Sequence, residues 1–192
     1  MNNFDDVMVQ RNIAMTQAYH KIPPQHYIRR AILRLLGYMP IPSRQPAIPE
    51  RILIIRPDHL GDMLLSTPAI EALKEARPDA EIHVLAGPWS AELIASYEAV
   101  DWVVTLPFPA FNRRSPKENL RSPYVQLLHS AQQLRALRYS TAIIMRPDHW
   151  WGALLAKLAG IPVRIGYDLP DVKPFLTHAI PHQHEHVVIQ NM

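Results

Sequence analysis

Residues 52–62 read ILIIRPDHLGD, and residues 143–152 read IIMRPDHWWG. Both place Arg-Pro-Asp-His directly after a short apolar run, as Arg56 to His59 and again as Arg146 to His149. Runs that are apolar throughout and bounded by turn residues read as strands of a parallel sheet covered on both faces. The same signal recurs at 81–86 (EIHVLA), 102–106 (WVVTL), 162–166 (PVRIG) and 175–180 (FLTHAI), so with 51–56 and 141–146 six strands are expected. Helical patterns lie between them near 62–77, 88–98, 122–138 and 149–160, the last stopped by Gly160 and Pro162.

Strands alternating with helices predict an α/β fold, a doubly wound Rossmann-like parallel sheet. In the commonest order, 3-2-1-4-5, strand 1 lies beside strand 4, and ligands bind in the crevice outside their carboxyl ends. The two tetrapeptides would then form two walls of one site, with His59 and His149 on opposing lips and Arg56 and Arg146 behind them. Two arginines and two imidazoles there would suit a ligand bearing carboxylate or phosphate. The plainer alternative is that Pro and Asp are ordinary turn and N-cap choices after a strand.

Length and composition bound the rest. At 192 residues, 48% hydrophobic and 19% charged, the chain suits one globular domain with a real core. It has no cysteine, which excludes disulfides and thiolate metal sites and fits a reducing compartment. The expected location is therefore the cytoplasm or the inner face of the cytoplasmic membrane. A formal charge of +3 suits an anionic small ligand or a membrane surface, and is too weak for a nucleic-acid binder. No run approaches the about 18 apolar residues of a membrane-spanning helix. The opening MNNFDD is acidic and lacks the apolar region of an export signal.

Residues 1–50 read as a helical extension and linker ahead of the domain at 51–192. Ile28, Ala31, Ile32, Leu35 and Leu36 follow the helical template, with Arg29, Arg30 and Arg34 mostly on the other face. Such a helix could make peripheral membrane contact through residues 26–37. The plainer reading is that its apolar stripe packs on the following domain. MPIPSRQPAIP, residues 39–49, is a stiff Pro-rich linker.

Chemistry is expected after strand 1. Gly61 permits a tight turn or a close ligand approach. Asp62 would sit at the N-terminus of a helix, where the dipole favours the carboxylate. There it either takes a proton from a substrate hydroxyl or merely caps the helix. Pro68 means that this helix kinks or begins at Thr67. After strand 3, Arg113, Arg114, Lys117 and Arg121 lie in a loop that opens on the same sheet edge and could meet phosphate or carboxylate, or simply face water. His178, His182, His184 and His186 have poor spacing for a metal, and no metal is assigned. Dinucleotide-binding, P-loop and nucleophile-elbow motifs do not occur.

RILIIRPDHLGDMLLSTPAIEALKEARPDAEIHVLAGPWSAELI resembles the opening of the ADP-heptose:lipopolysaccharide heptosyltransferase family, glycosyltransferase family nine. AIIMRPDHWWGALLAKLAGIPVRIGYD is similar to that family's fourth-strand region, and HEHVVIQN to the start of its interdomain segment. The likeness covers about residues 51–192. It implies the N-terminal, acceptor-binding half of a two-domain GT-B glycosyltransferase. It also implies an inverting, metal-independent transfer with Asp62 as general base and no cofactor. The implied substrates are a nucleotide sugar, ADP-heptose above all, and a lipopolysaccharide-type or other glycan acceptor. The sequence stops at Met192, so the resemblance implies a truncated half without the donor-binding domain, incompetent for transfer alone. The rival expectation is a non-catalytic module that binds an anionic sugar or phosphate in the same crevice.

Overall fold

The four residues Ile52–Ile55 divide alternately between two cores. Leu53 and Ile55 pack with Leu85, Phe108, Leu127, Leu134, Leu154 and Phe175, whereas Ile52 and Ile54 pack with Met63, Ile70, Ile82, Val84 and Ile94. Successive side chains of a strand point to opposite faces, so an unbroken apolar run is what a strand between two helical layers requires. A computed structural model describes residues 24–108, 122–182 and 188.

The strands are β1 (Arg51–Arg56), β2 (Glu81–Ala86), β3 (Trp102–Thr105), β4 (Thr141–Ile144), β5 (Val163–Tyr167) and β6 (His178–Ile180). They form one sheet of order β3-β2-β1-β4-β5-β6, and every neighbouring pair is parallel. β1 and β4 are adjacent, with Ile55 opposite Ile144, so both Arg-Pro-Asp-His segments leave the same edge. The sixth strand is shorter than the sequence suggests. A 3-10 turn at Lys173–Phe175, with Pro174 at its start, takes up Phe175, the first residue of the expected run.

The helices are α1 (Pro24–Tyr38), α2 (Leu60–Leu64), α3 (Thr67–Ala76), α4 (Ala91–Ala95), α5 (Ser122–Leu137) and α6 (Trp150–Leu158). The helical pattern over 62–77 divides into two helices, the second beginning at Thr67, which is one of the two outcomes that Pro68 allowed. Pro68 has no N–H to give the Leu64 carbonyl, and the Thr67 hydroxyl donates to it instead at 2.9 Å. The Ser66 hydroxyl donates to the Met63 carbonyl at 2.6 Å, closing the break. At the end of α6, Ile161 N–H donates to the Ala156 carbonyl and Gly160 N–H to that of Lys157. This is a Schellman closure, and it needs the left-handed φ of +74° at Gly160.

Residues 24–50 are fastened to the sheet domain rather than standing apart from it. Leu33 is buried in the larger core, and the Lys157 ammonium donates to the Gly37 carbonyl near the end of α1. An added Cβ at Gly37 would lie 2.5 Å from Pro174 Cβ, so a larger residue would push the helix away. The Pro-rich segment gives its carbonyls to arginines: Arg135 reaches Pro42 at 3.2 Å and Arg138 reaches Gln45 at 2.9 Å. Of the apolar stripe foreseen for docking, Leu36 packs on the core, but Ile28, Ala31, Ile32 and Leu35 are exposed. α1 packs through Leu36 of that stripe together with Leu33 and Gly37.

Candidate active site

At the carboxyl ends of β1 and β4 the two tetrapeptides interlock. Arg56 is buried, and its Nη1 donates to the Met145 carbonyl at the end of β4, at 2.9 Å. Its Nη2 donates to the backbone carbonyl of Asp62 at 3.3 Å. Its Nε lies 2.9 Å from Asp58 Oδ2, an ionic contact whose angle falls short of a hydrogen bond. Asp58 is only 2% exposed and also accepts from Arg146 Nη1, while Arg146 Nε donates to Asp148 Oδ1 at 2.7 Å. Burial pulls the Arg56 guanidinium down from its ordinary value, and the Asp58 charge opposes the shift. The result is a chain of alternating charge, Arg56–Asp58–Arg146–Asp148, that ties the two loops together.

The identical tetrapeptides therefore have opposite roles. In the first, the aspartate is buried and the histidine exposed; in the second, Asp148 is exposed and His149 is 6% exposed. His149 packs edge-on against Phe108, with ring centroids 5.3 Å apart. Burial drives its pKa down to about 3, so it is a neutral imidazole. The expectation of His149 on a lip is corrected: the ring lies in the wall behind. The expectation of two arginines waiting for an anion is corrected too, since Arg56 and Arg146 each face a carboxylate of the chain itself. Arg113 and Arg114, with Lys117 and Arg121, lie outside the described residues.

What reaches solvent is the segment His59-Leu60-Gly61-Asp62. His59 is the N-cap residue of α2 in extended conformation, and its ring stands 5.4 Å from that of Trp89. The Trp89 indole N–H donates to the Asp58 carbonyl at 2.9 Å, and the Ser90 hydroxyl to the same oxygen at 3.2 Å. Gly61 has no left-handed φ, and a Cβ there would meet nothing within 4 Å, so neither turn nor packing demands glycine. Asp62 is exposed in the first turn of α2, at its third residue. With only five residues, α2 offers Asp62 a much smaller dipole than the long helix expected. An exposed carboxylate on a loop anchored from below can accept a proton from a bound hydroxyl. Among the described residues, no group of three or more His, Asp or Glu side chains could hold a metal ion.

No family model matches the chain. Over 137 residues it is 28% identical to lipopolysaccharide heptosyltransferase 3 of Escherichia coli, an alignment covering 69% of this chain and 38% of that protein. The solved E. coli ADP-heptose lipopolysaccharide heptosyltransferase II superposes with TM-score 0.59 at 22% identity, over 74% of this chain and 40% of that one. The E. coli heptosyltransferase WaaC with ADP-2-deoxy-2-fluoro heptose gives TM-score 0.60 at 18% identity, over 73% and 45%. Over part of its length the chain is similar to lipopolysaccharide heptosyltransferases. It spans about two fifths of the length of the relatives it matches.

Three residues of this heptosyltransferase-like edge escape sequence reasoning. Asp58 looks like a turn residue, yet it is the buried centre of the ion chain. Trp89 and Ser90 follow Gly87-Pro88 in what reads as a helix start, yet they hold the first tetrapeptide from the β2 side. The one signal available was position: both follow a strand next to β1 in the predicted order.

Proposed function

We propose that residues 51–192 are the acceptor-binding half of a glycosyltransferase that moves a heptose from ADP-heptose to a lipopolysaccharide-type glycan, with inversion and with Asp62 as general base. The likeness to heptosyltransferases supports the reaction class. The observation that carries the assignment of the base is the setting of Asp62: an exposed carboxylate at the carboxyl edge of β1, with its backbone held by Arg56 to the end of β4. In this reading an acceptor hydroxyl lies against Asp62 and loses its proton to the carboxylate as the oxygen attacks the anomeric carbon. The bond to the diphosphate breaks on the opposite face, and ADP departs with the electron pair. No step uses a metal ion. The groups that neutralise the departing diphosphate belong to the donor-binding half of the two-domain architecture. Gly61, open above α2, leaves room for the acceptor next to the base.

Acceptor binding by the 192-residue chain is the direct test. Titration with an oligosaccharide from heptose-deficient lipopolysaccharide, followed by amide NMR, should shift the signals of residues 59–62. In a full-length protein carrying this chain, Asp62→Asn should lower the transfer rate by about 10²–10⁴ with an unchanged melting temperature. Transfer within a few-fold of wild type would remove Asp62 from the mechanism. Binding that leaves residues 59–62 untouched would place the acceptor elsewhere.

A further inference from the structure

We propose that the outward face of α1 docks the protein on an anionic lipid surface, independently of the transfer reaction. At about 100° per residue, Tyr27, Ile28, Ala31, Ile32, Leu35 and Tyr38 share one arc of about 140°. All six are exposed, Ile28 at 65% and Leu35 at 70%. The inward face carries Leu33, Leu36 and Gly37 and is already packed on the core and the Lys173–Phe175 turn. The helix therefore spends its smaller apolar face on the fold and presents the larger one to water. An exposed apolar stripe several residues long marks an interaction surface. Lys157 and the arginine-bound linker hold α1 in that orientation.

Charge decides what covers the face. From residue 7 to residue 49 the sequence contains no Asp or Glu but six Lys or Arg: Arg11, Lys21, Arg29, Arg30, Arg34 and Arg44. The rest of the chain holds fourteen Lys and Arg against seventeen Asp and Glu, so the whole positive excess resides in this segment. A second copy of the same cationic helix would meet like charge. A layer of acidic headgroups over an apolar interior matches both properties at once, because apolar side chains enter the acyl boundary while cations stay at the phosphates. Arg34 is exposed at the margin of the apolar arc, as such an arrangement needs. Among the described residues no helix is long and apolar enough to cross a membrane, so the helix would lie in the surface plane.

The test is co-sedimentation of the 192-residue chain with phosphatidylcholine vesicles, with and without phosphatidylglycerol. Binding should require phosphatidylglycerol and weaken with salt. Ile32→Asp with Leu35→Asp should weaken it at least tenfold, and Arg34→Gln about fivefold, while circular dichroism and melting temperature stay as in the wild type, since these side chains are exposed. Absence of vesicle binding, equal binding to neutral vesicles, or indifference to the paired aspartates would each overturn the proposal. So would a wild-type dimer that the paired aspartates convert to a monomer, which would assign the face to a second copy.

Discussion

His59 and His149 hold the same place in identical tetrapeptides, yet one ring meets solvent and the other is enclosed. The cause lies three residues downstream. Gly152 has no Cβ, and one added there would stand 2.4 Å from His149 Nδ1 and 2.9 Å from Ile55 Cγ2. The missing atom is the space the imidazole occupies, whereas Asp62, the counterpart of Gly152, stands in open solvent. Burial has a consequence for acid stability. His149 takes up protons in the unfolded chain below about pH 6.5 but in the fold only near pH 3. The unfolded state therefore binds more protons between those values, and stability falls as pH falls through that window. The unfolding free energy from urea titrations should drop by on the order of 1 kcal/mol per pH unit below pH 6, and His149→Leu should flatten this slope; an unchanged slope would assign the acid sensitivity to other groups. Asp58→Asn should cost about 3 kcal/mol or more, because it strands the buried Arg56 charge. Arg146→Gln should cost about 1 kcal/mol, since that guanidinium is half-exposed and solvent can replace its partner. Equal losses in urea titrations would show that Asp58 is not the shared partner.

At the scale of elements, two glycines that look alike in sequence do different things. Gly152 sits in α6 under the tetrapeptide, and Gly152→Ala should destabilise by about 1–3 kcal/mol through overpacking against His149 and Ile55. Gly61 sits in α2 with nothing above it, and Gly61→Ala should raise stability by about 0.5–1 kcal/mol by favouring the helix. Thermal unfolding of both variants checks this pair, and a loss at Gly61→Ala would reveal a contact absent from the fold described. The same variant should weaken acceptor binding if the sugar lies over Gly61. Pro68 marked the α2–α3 break in the sequence even though the apolar spacing of MLLSTPAIEALKEA runs on across it, because the hydrogen-bond ladder cannot.

At the scale of the molecule, protection should follow position in the sheet. β1 is paired on both sides and buried on both faces, while β6 is an exposed three-residue edge. Native-state hydrogen exchange should therefore find the slowest amides in β1, β2 and β4 and the fastest strand amides in β6. Comparable rates in β6 and β1 would mean that the sheet opens only as a whole. Strand order, the shared edge of the two tetrapeptides and the amphipathic character of α1 were all determined by the sequence alone. Each rests on local pattern: apolar runs mark covered strands, their alternation with helices dictates a parallel sheet, and chain order then puts strand 1 beside strand 4. Only the tertiary structure decided which copy of the tetrapeptide buries its aspartate and which its histidine, and which face of α1 meets the core. Those outcomes depend on the volume left by residues distant in sequence, such as Gly152 below His149, Trp89 above Asp58 and Pro174 against Gly37. A repeated motif specifies its own chemistry but not the shape of the space it will occupy.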